Sequence, residues 1–109
     1  MLGQLDQHKQ AQRYYRMALH AARDYAEAML GLGLSYLALK DVTRAMAELE
    51  KVARLSDAKA PAHLRAAAQV GLGKCWLNQG KTSHARAAFN KALHIEPGNA
   101  DATRLLQQT

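Results

Sequence analysis

The stretch GLGKCWLNQGKTSHARAAFNKALHIEP, residues 71–97, decides the fold, because its small and large apolar residues are spaced as in two packed helices. Three of them share one face of a first helix: Leu72, Gly73 and Trp76. A turn ending in Gly80 follows. Three more lie at i, i+4 and i+7 of a second helix, with a large ring between two small residues: Ala85, Phe89 and Ala92. The spacing predicts two antiparallel helices with the Phe89 ring filling the interface between them.

The same pattern recurs 40 positions upstream in the chain. The matching residues of that unit are Leu32, Gly33, Tyr36, Ala45, Leu49 and Val52. A further match to the second half of the unit lies another 34 positions upstream: Ala11, Tyr15 and Ala18. The chain therefore contains one half-unit followed by two full units, and each unit is a pair of helices.

Composition sets the class of protein. The chain has 109 residues, the size of one domain, and 49% of them are hydrophobic with few aromatics. Alanine and leucine dominate, and the runs of Val, Ile and Thr that form sheets are missing. Gly, Lys or Arg interrupts every apolar stretch before the length of roughly 20 residues that a membrane span needs. We expect one all-α domain without a membrane span.

The repeated positions resemble the tetratricopeptide repeat family, whose 34-residue unit carries Leu-Gly, an aromatic, an Ala, an aromatic, an Ala and a Pro at fixed offsets. Pro97 supplies the closing proline of the second unit. The resemblance implies antiparallel helix pairs stacked in a right-handed α-solenoid of about six helices, with two and a half repeats plus a closing helix. The divisions we expect within the single domain 1–109 are a half repeat at 5–23, repeats at 24–57 and 66–97, an insertion within 56–65 and a closing helix at 100–108.

The insertion accounts for the 40-residue offset between units of a 34-residue family. Proline suits the first turn of a helix, so we expect the inserted residues to add a turn to a helix that begins at about Pro61. Asp41 and Asn99 are placed to cap the helices that follow them. The predicted helices run from about Asp6 to Ala22, Asp24 to Leu39, Val42 to Leu55, Pro61 to Asn78, Lys81 to His94 and Ala100 to Gln108.

The first predicted helix corresponds to the second helix of a repeat whose first helix is missing. A repeat buries its apolar surface only against its neighbours. The apolar face left to be covered consists of Ala11, Tyr15, Ala18 and Leu19. We expect either another copy of the chain, giving a homo-oligomer, or a longer parent protein to cover this self-association face.

The resemblance also implies a concave groove, lined by the first helix of each pair, that binds peptides. The family's groove positions fall on Leu30, Leu34, Leu37, Val70, Lys74, Asn78 and Arg104. Only the last three could bind a carboxylate, so the full carboxylate clamp of some members is missing. We expect a groove that is apolar at one end and basic at the other, and a protein or peptide partner that is amphipathic with an acidic end. Packing against neighbouring helices is the alternative role for the leucines.

Other classes of function find little support. The five histidines lie on different helices or faces, without metal-ligand spacing, so we expect neither an enzyme nor a metal or other cofactor. The net charge of +6 is spread along the chain, with acids interspersed, which disfavours nucleic acid as a partner. The Gly-Leu-Gly triplets at Gly31 and Gly71 lack the strand of a dinucleotide loop, and we assign them to close helix packing rather than to ligand contact.

The cell compartment is only weakly indicated. Cys75 is the single cysteine and cannot form an internal disulfide, so we expect a buried packing residue in a reducing, cytoplasmic protein. No basic start followed by an apolar core marks a signal peptide. A periplasmic location is the alternative if the chain is part of a longer protein.

Overall fold

A computed structural model describes residues 9–14, 16, 26–55 and 60–109 of the chain. Five helices are assigned within these ranges: α1 (Ala26–Ala38), α2 (Val42–Ala53), α3 (Ala62–Asn78), α4 (Thr82–Ile95) and α5 (Ala100–Gln108). Residues 9–14 and 16 are helical as well. The described part of the chain holds no strand, as the all-α prediction requires. The bounds of α2 to α5 agree with the predicted ones to within two residues.

Two hydrophobic clusters join the helices into one stack. The first is built from α1, α2 and α3, and its fully buried residues include Leu49 and Val52. The second is built from α3, α4 and α5 around Phe89, which has no exposed surface. Because α3 contributes to both clusters, with Leu72 in the first and Val70 in the second, it links one helix pair to the next.

Glycines mark the points of closest approach between helices. A methyl group added at Gly33 would lie 2.8 Å from two carbons of Leu49, and one added at Gly73 would lie 2.7 Å from two carbons of the Phe89 ring. Real side chains essentially never approach so closely, so a larger residue at either glycine would force the facing side chain to shift. A methyl group at Gly71 would lie 2.9 Å from Leu49 of the preceding pair. The expected packing role is therefore confirmed for Gly71.

The turns between paired helices share one hydrogen-bond pattern. In the first turn the Asp41 amide donates to the Tyr36 carbonyl at 2.9 Å, and the Lys40 amide donates to the Leu37 carbonyl at 3.0 Å. The turn between α3 and α4 repeats both bonds at matching positions, with the same lengths. These are the two bonds of a Schellman motif, which places one residue in the left-handed region. That residue is Lys40 (φ 64°) in the first turn and Gly80 (φ 74°) in the second.

The start of three helices follows local signals in the sequence. The Asp41 carboxylate accepts a bond from the Arg44 amide at 3.3 Å, and the Asn99 side chain accepts one from the Ala102 amide at 2.8 Å, so both predicted caps are confirmed. Pro61 directly precedes α3, which confirms a helix start near that residue. The first turn of α3, residues 62–65, falls in the stretch 56–65 within which the insertion was predicted.

Candidate functional site

A depression of about 570 Å³, called the groove below, lies between α1, α3 and α5. Its apolar lining consists of Leu34, Leu37, Ala38, Leu77 and Leu105. Its polar lining consists of Lys40, Lys74 and Asn78. No acidic side chain lines it among the described residues, so the groove combines an apolar floor with positive charge.

Leu34 has unusual exposure for a leucine in a helical array, since 39% of its surface is accessible. A leucine that served only to pack helices would be covered, as Leu32 is at 3%. Leu37 is half-buried beside it in the same depression. Exposed apolar surface gathered in a depression is a common property of binding sites.

Four of the seven predicted groove residues lie together in the depression: Leu34, Leu37, Lys74 and Asn78. Leu30 and Val70 are 8% and 6% exposed and belong to the two hydrophobic clusters. Arg104 lies outside the lining, where its guanidinium contacts the Asp101 carboxylate at 3.2 Å. The groove therefore includes only part of the set of positions taken from the family pattern.

The three polar residues of the groove come from two places in the fold. Lys40 lies in the turn after α1, and Lys74 and Asn78 lie one turn apart on α3. The Asn78 amide nitrogen donates to the Lys74 carbonyl at 3.1 Å, which holds the Asn78 side chain along the end of α3. Neither lysine ammonium has an ion-pair partner within residues 26–55 and 60–109. Both charges are thus free to meet a ligand.

Four groove residues were not predicted: Ala38, Lys40, Leu77 and Leu105. Leu105 directly follows Arg104, and consecutive residues point about 100° apart around a helix axis. Leu77 is likewise one residue from Asn78. A signal for Lys40 was present in the repeat alignment, since it occupies the position of Gly80 in the second unit.

A second depression, of about 350 Å³, lies between α2, α3 and α4. Trp76 lines it, and the centroid of the Trp76 ring lies 4.8 Å from the centroid of the His84 ring. The Lys81 ammonium lies 5.4 Å from the same Trp76 centroid. Its charges are mixed, because Glu50 lies 3.7 Å from Arg54 across one turn of α2. This second depression differs from the groove in having both signs of charge.

The N-terminal helical residues contact the first repeat through Arg16. Its guanidinium donates a hydrogen bond to the Tyr36 hydroxyl and lies 5.8 Å from the centroid of the Tyr36 ring. The bond to Tyr36 raises the pKa of Arg16.

Ala11 of the predicted self-association face is half-buried. The other three residues of that face, Tyr15, Ala18 and Leu19, lie outside the described residues.

Cys75 is fully buried in the first hydrophobic cluster, which confirms its predicted packing role. Burial raises the pKa of its thiol to about 11, so the reactive thiolate is scarce at neutral pH.

Over the described ranges, no three His, Cys, Asp or Glu side chains are grouped so that they could hold a metal ion. Among the same residues, no helix has the length and apolar character to cross a membrane.

Comparison with known families gives the chain its class. Two family models described as tetratricopeptide repeat match it, one over residues 2–63 and the other over residues 66–99. The chain therefore belongs to the tetratricopeptide repeat family, and its fold is an all-α repeat solenoid. Members of this family are generally scaffolds for protein interaction and typically are not catalysts. A search of the curated proteins found no match.

Proposed function

We propose that the chain is a protein-binding scaffold that holds an amphipathic segment of a partner protein in the groove. The observation that carries the proposal is the 39% exposure of Leu34 within a depression of about 570 Å³. Three further leucines line the same depression and are only half-buried. Covering a leucine side chain fully is worth roughly 1.5–3 kcal/mol, so a few apolar ligand side chains supply a substantial driving force.

The charge of the groove favours a partner with an acidic end. Lys40 and Lys74 both line the depression, and no described acid does. Complementary charge accelerates encounter and selects among partners more than it adds affinity. The leucines therefore account for most of the affinity in this proposal, and the lysines account for the choice of partner. Leu30 and Val70 are buried in the two hydrophobic clusters and do not line the groove, so they make no ligand contact in this proposal.

The proposal is tested with peptides selected from a displayed library of random sequences, using the whole chain as bait. Binding of a synthetic selected peptide is then measured by fluorescence anisotropy. Leu34→Glu places a charge in the apolar lining and weakens binding by at least about tenfold. Lys74→Glu weakens binding of a peptide with an acidic end by about threefold or more.

Lys91→Glu is the matched control, because Lys91 is exposed on α4 outside the groove. It leaves the affinity unchanged. Circular dichroism establishes that each variant is folded. Unchanged affinity in a folded double variant of Leu34 and Lys74 contradicts binding in the groove.

Self-association through the first helix stays a separate prediction. It concerns Ala11, Tyr15, Ala18 and Leu19, which precede α1 in the sequence and are not among the groove residues. Static light scattering over a range of concentrations tests it directly. A monomer at the highest concentration contradicts self-association and leaves the groove proposal intact.

A further inference from the structure

Lys40 occupies a backbone conformation that a lysine rarely adopts. Its φ of 64° lies in the left-handed region, where the Cβ of an L-residue crowds the backbone. Position C′ of a Schellman motif is usually glycine for this reason, and sometimes asparagine. The Lys40 side chain therefore carries a conformational penalty that glycine would not.

The second repeat shows that the turn does not require a lysine. Its turn makes the same two hydrogen bonds, from the Gly80 amide to the Leu77 carbonyl at 3.0 Å and from the Lys81 amide to the Trp76 carbonyl at 2.9 Å. Gly80 has φ 74° and no atom within 4 Å of an added methyl group. The two turns thus differ in the side chain they present and not in how they are closed.

Lys40 lines the groove, and Gly80 does not. Two other polar groove residues, Lys74 and Asn78, come from the neighbouring helix α3. The attraction of a cation to the C-terminal end of α1 offsets part of the backbone penalty, although this attraction is generally smaller than the penalty itself. A charge kept at a strained position on the rim of a binding groove indicates a role in binding.

We propose that Lys40 is a specificity-determining residue that binds a carboxylate of the partner segment and so fixes the direction in which the segment lies in the groove. This inference rests on the proposed function of the groove. The occupant it specifies is a segment of another protein with an acidic side chain close to apolar ones. The acidic residue lies at the α1–α2 turn, and the apolar residues lie toward Leu34.

The geometry sets the spacing expected in the ligand. Leu34 is four residues from Ala38, the last residue of α1, so the end of the helix that carries the Lys40 turn lies about 6 Å along the axis from Leu34 at 1.5 Å per residue. An extended ligand covers that length in about two residues, and a helical ligand in about one turn. Peptides selected from a random library are thus expected to carry Asp or Glu two to four residues from an apolar pair.

The decisive variant is Lys40→Gly, tested against a synthetic peptide from that selection. Removing the backbone penalty raises Tm by about 2–5 °C, while removing the charge weakens peptide binding by about threefold. Lys40→Arg keeps the charge and keeps the affinity. The effect of Lys40→Gly on binding shrinks as salt is added, because exposed charge pairs are screened.

Gly80→Lys is the matched control in the other turn. It introduces the same strained lysine outside the groove, so it lowers Tm and leaves peptide affinity unchanged.

Two results contradict the role of Lys40 and leave groove binding standing: unchanged affinity in Lys40→Gly, or a selection that yields apolar peptides without Asp or Glu. A selection whose peptides bind Leu34→Glu as tightly as the original chain contradicts the proposed function itself. Peptide binding that weakens as the chain is concentrated indicates a second copy in the groove and also contradicts the inference.

Discussion

The two complete helix pairs, α1 with α2 and α3 with α4, use one backbone arrangement and fill it with different side chains. In each pair a glycine on the first helix accommodates a large residue on the second: Gly33 with Leu49, and Gly73 with Phe89. Their turns have the same hydrogen bonds, with a lysine in one and a glycine in the other. The turn position, which differs between the pairs without a change in hydrogen bonding, thus separates what the fold needs from what a site adds.

The largest expected effect is loss of the large residue in each pair. Phe89→Ala removes a fully buried ring and lowers the free energy of unfolding by about 4 kcal/mol, and Leu49→Ala lowers it by about 3 kcal/mol. Urea denaturation followed by circular dichroism measures both. A loss below about 1 kcal/mol for Phe89→Ala contradicts the assignment of this ring to the centre of the second cluster.

The next effect distinguishes the two glycines. An added methyl group at Gly73 meets a rigid ring, whereas one at Gly33 meets a leucine that can shift its methyl groups. We expect Gly73→Ala to destabilise the chain by about 2–3 kcal/mol and Gly33→Ala by about 1 kcal/mol. The same denaturation experiment compares them, and the reverse order would show that the ring adjusts more readily than the leucine.

The turns give effects of opposite sign. In the absence of any ligand, Lys40→Gly stabilises the chain by about 0.5–1 kcal/mol and Gly80→Lys destabilises it by about 1 kcal/mol, because each exchanges an L-residue and glycine at a positive φ. Thermal unfolding detects both shifts. If Lys40→Gly destabilises the chain, the lysine contributes more to folding than to binding.

The smallest effects concern the starts of α2 and α4. Asp41 caps α2 with its side chain, whereas Lys81 at the matching position of α4 makes no side-chain cap. Asp41→Ala therefore costs about 1 kcal/mol. Lys81→Ala loses only the contact with the Trp76 ring, about 0.5 kcal/mol. Equal losses at the two positions contradict this distinction between them.

The repeat alignment predicted the helices because each helix pair depends on a few local spacings. Small residues opposite Leu49 and Phe89 were visible in the sequence, and so were the capping side chains of Asp41 and Asn99. The start of α3 followed from Pro61, whose ring favours the first turn. These features are local, so no tertiary contact was needed to anticipate them.

The groove was less predictable, because its lining depends on how helices are rotated against one another. Leu30 and Val70 occupy family groove positions, yet neighbouring helices cover them. Leu105 lines the groove, whereas the preceding residue, Arg104, forms an ion pair with Asp101 instead. Lys40 was missed because nothing in its residue type predicts a positive φ, and only the match with Gly80 points to one.

The most direct test of the central claim is a heteronuclear NMR titration of the chain with a selected peptide. Amide resonances of Leu34, Leu37, Lys40, Lys74 and Asn78 are expected to shift, and those of the exposed face of α4 are expected to stay in place. Shifts confined to α2 and α4, around the second depression lined by Trp76, would contradict the account, because they would place the partner in that depression and not in the groove.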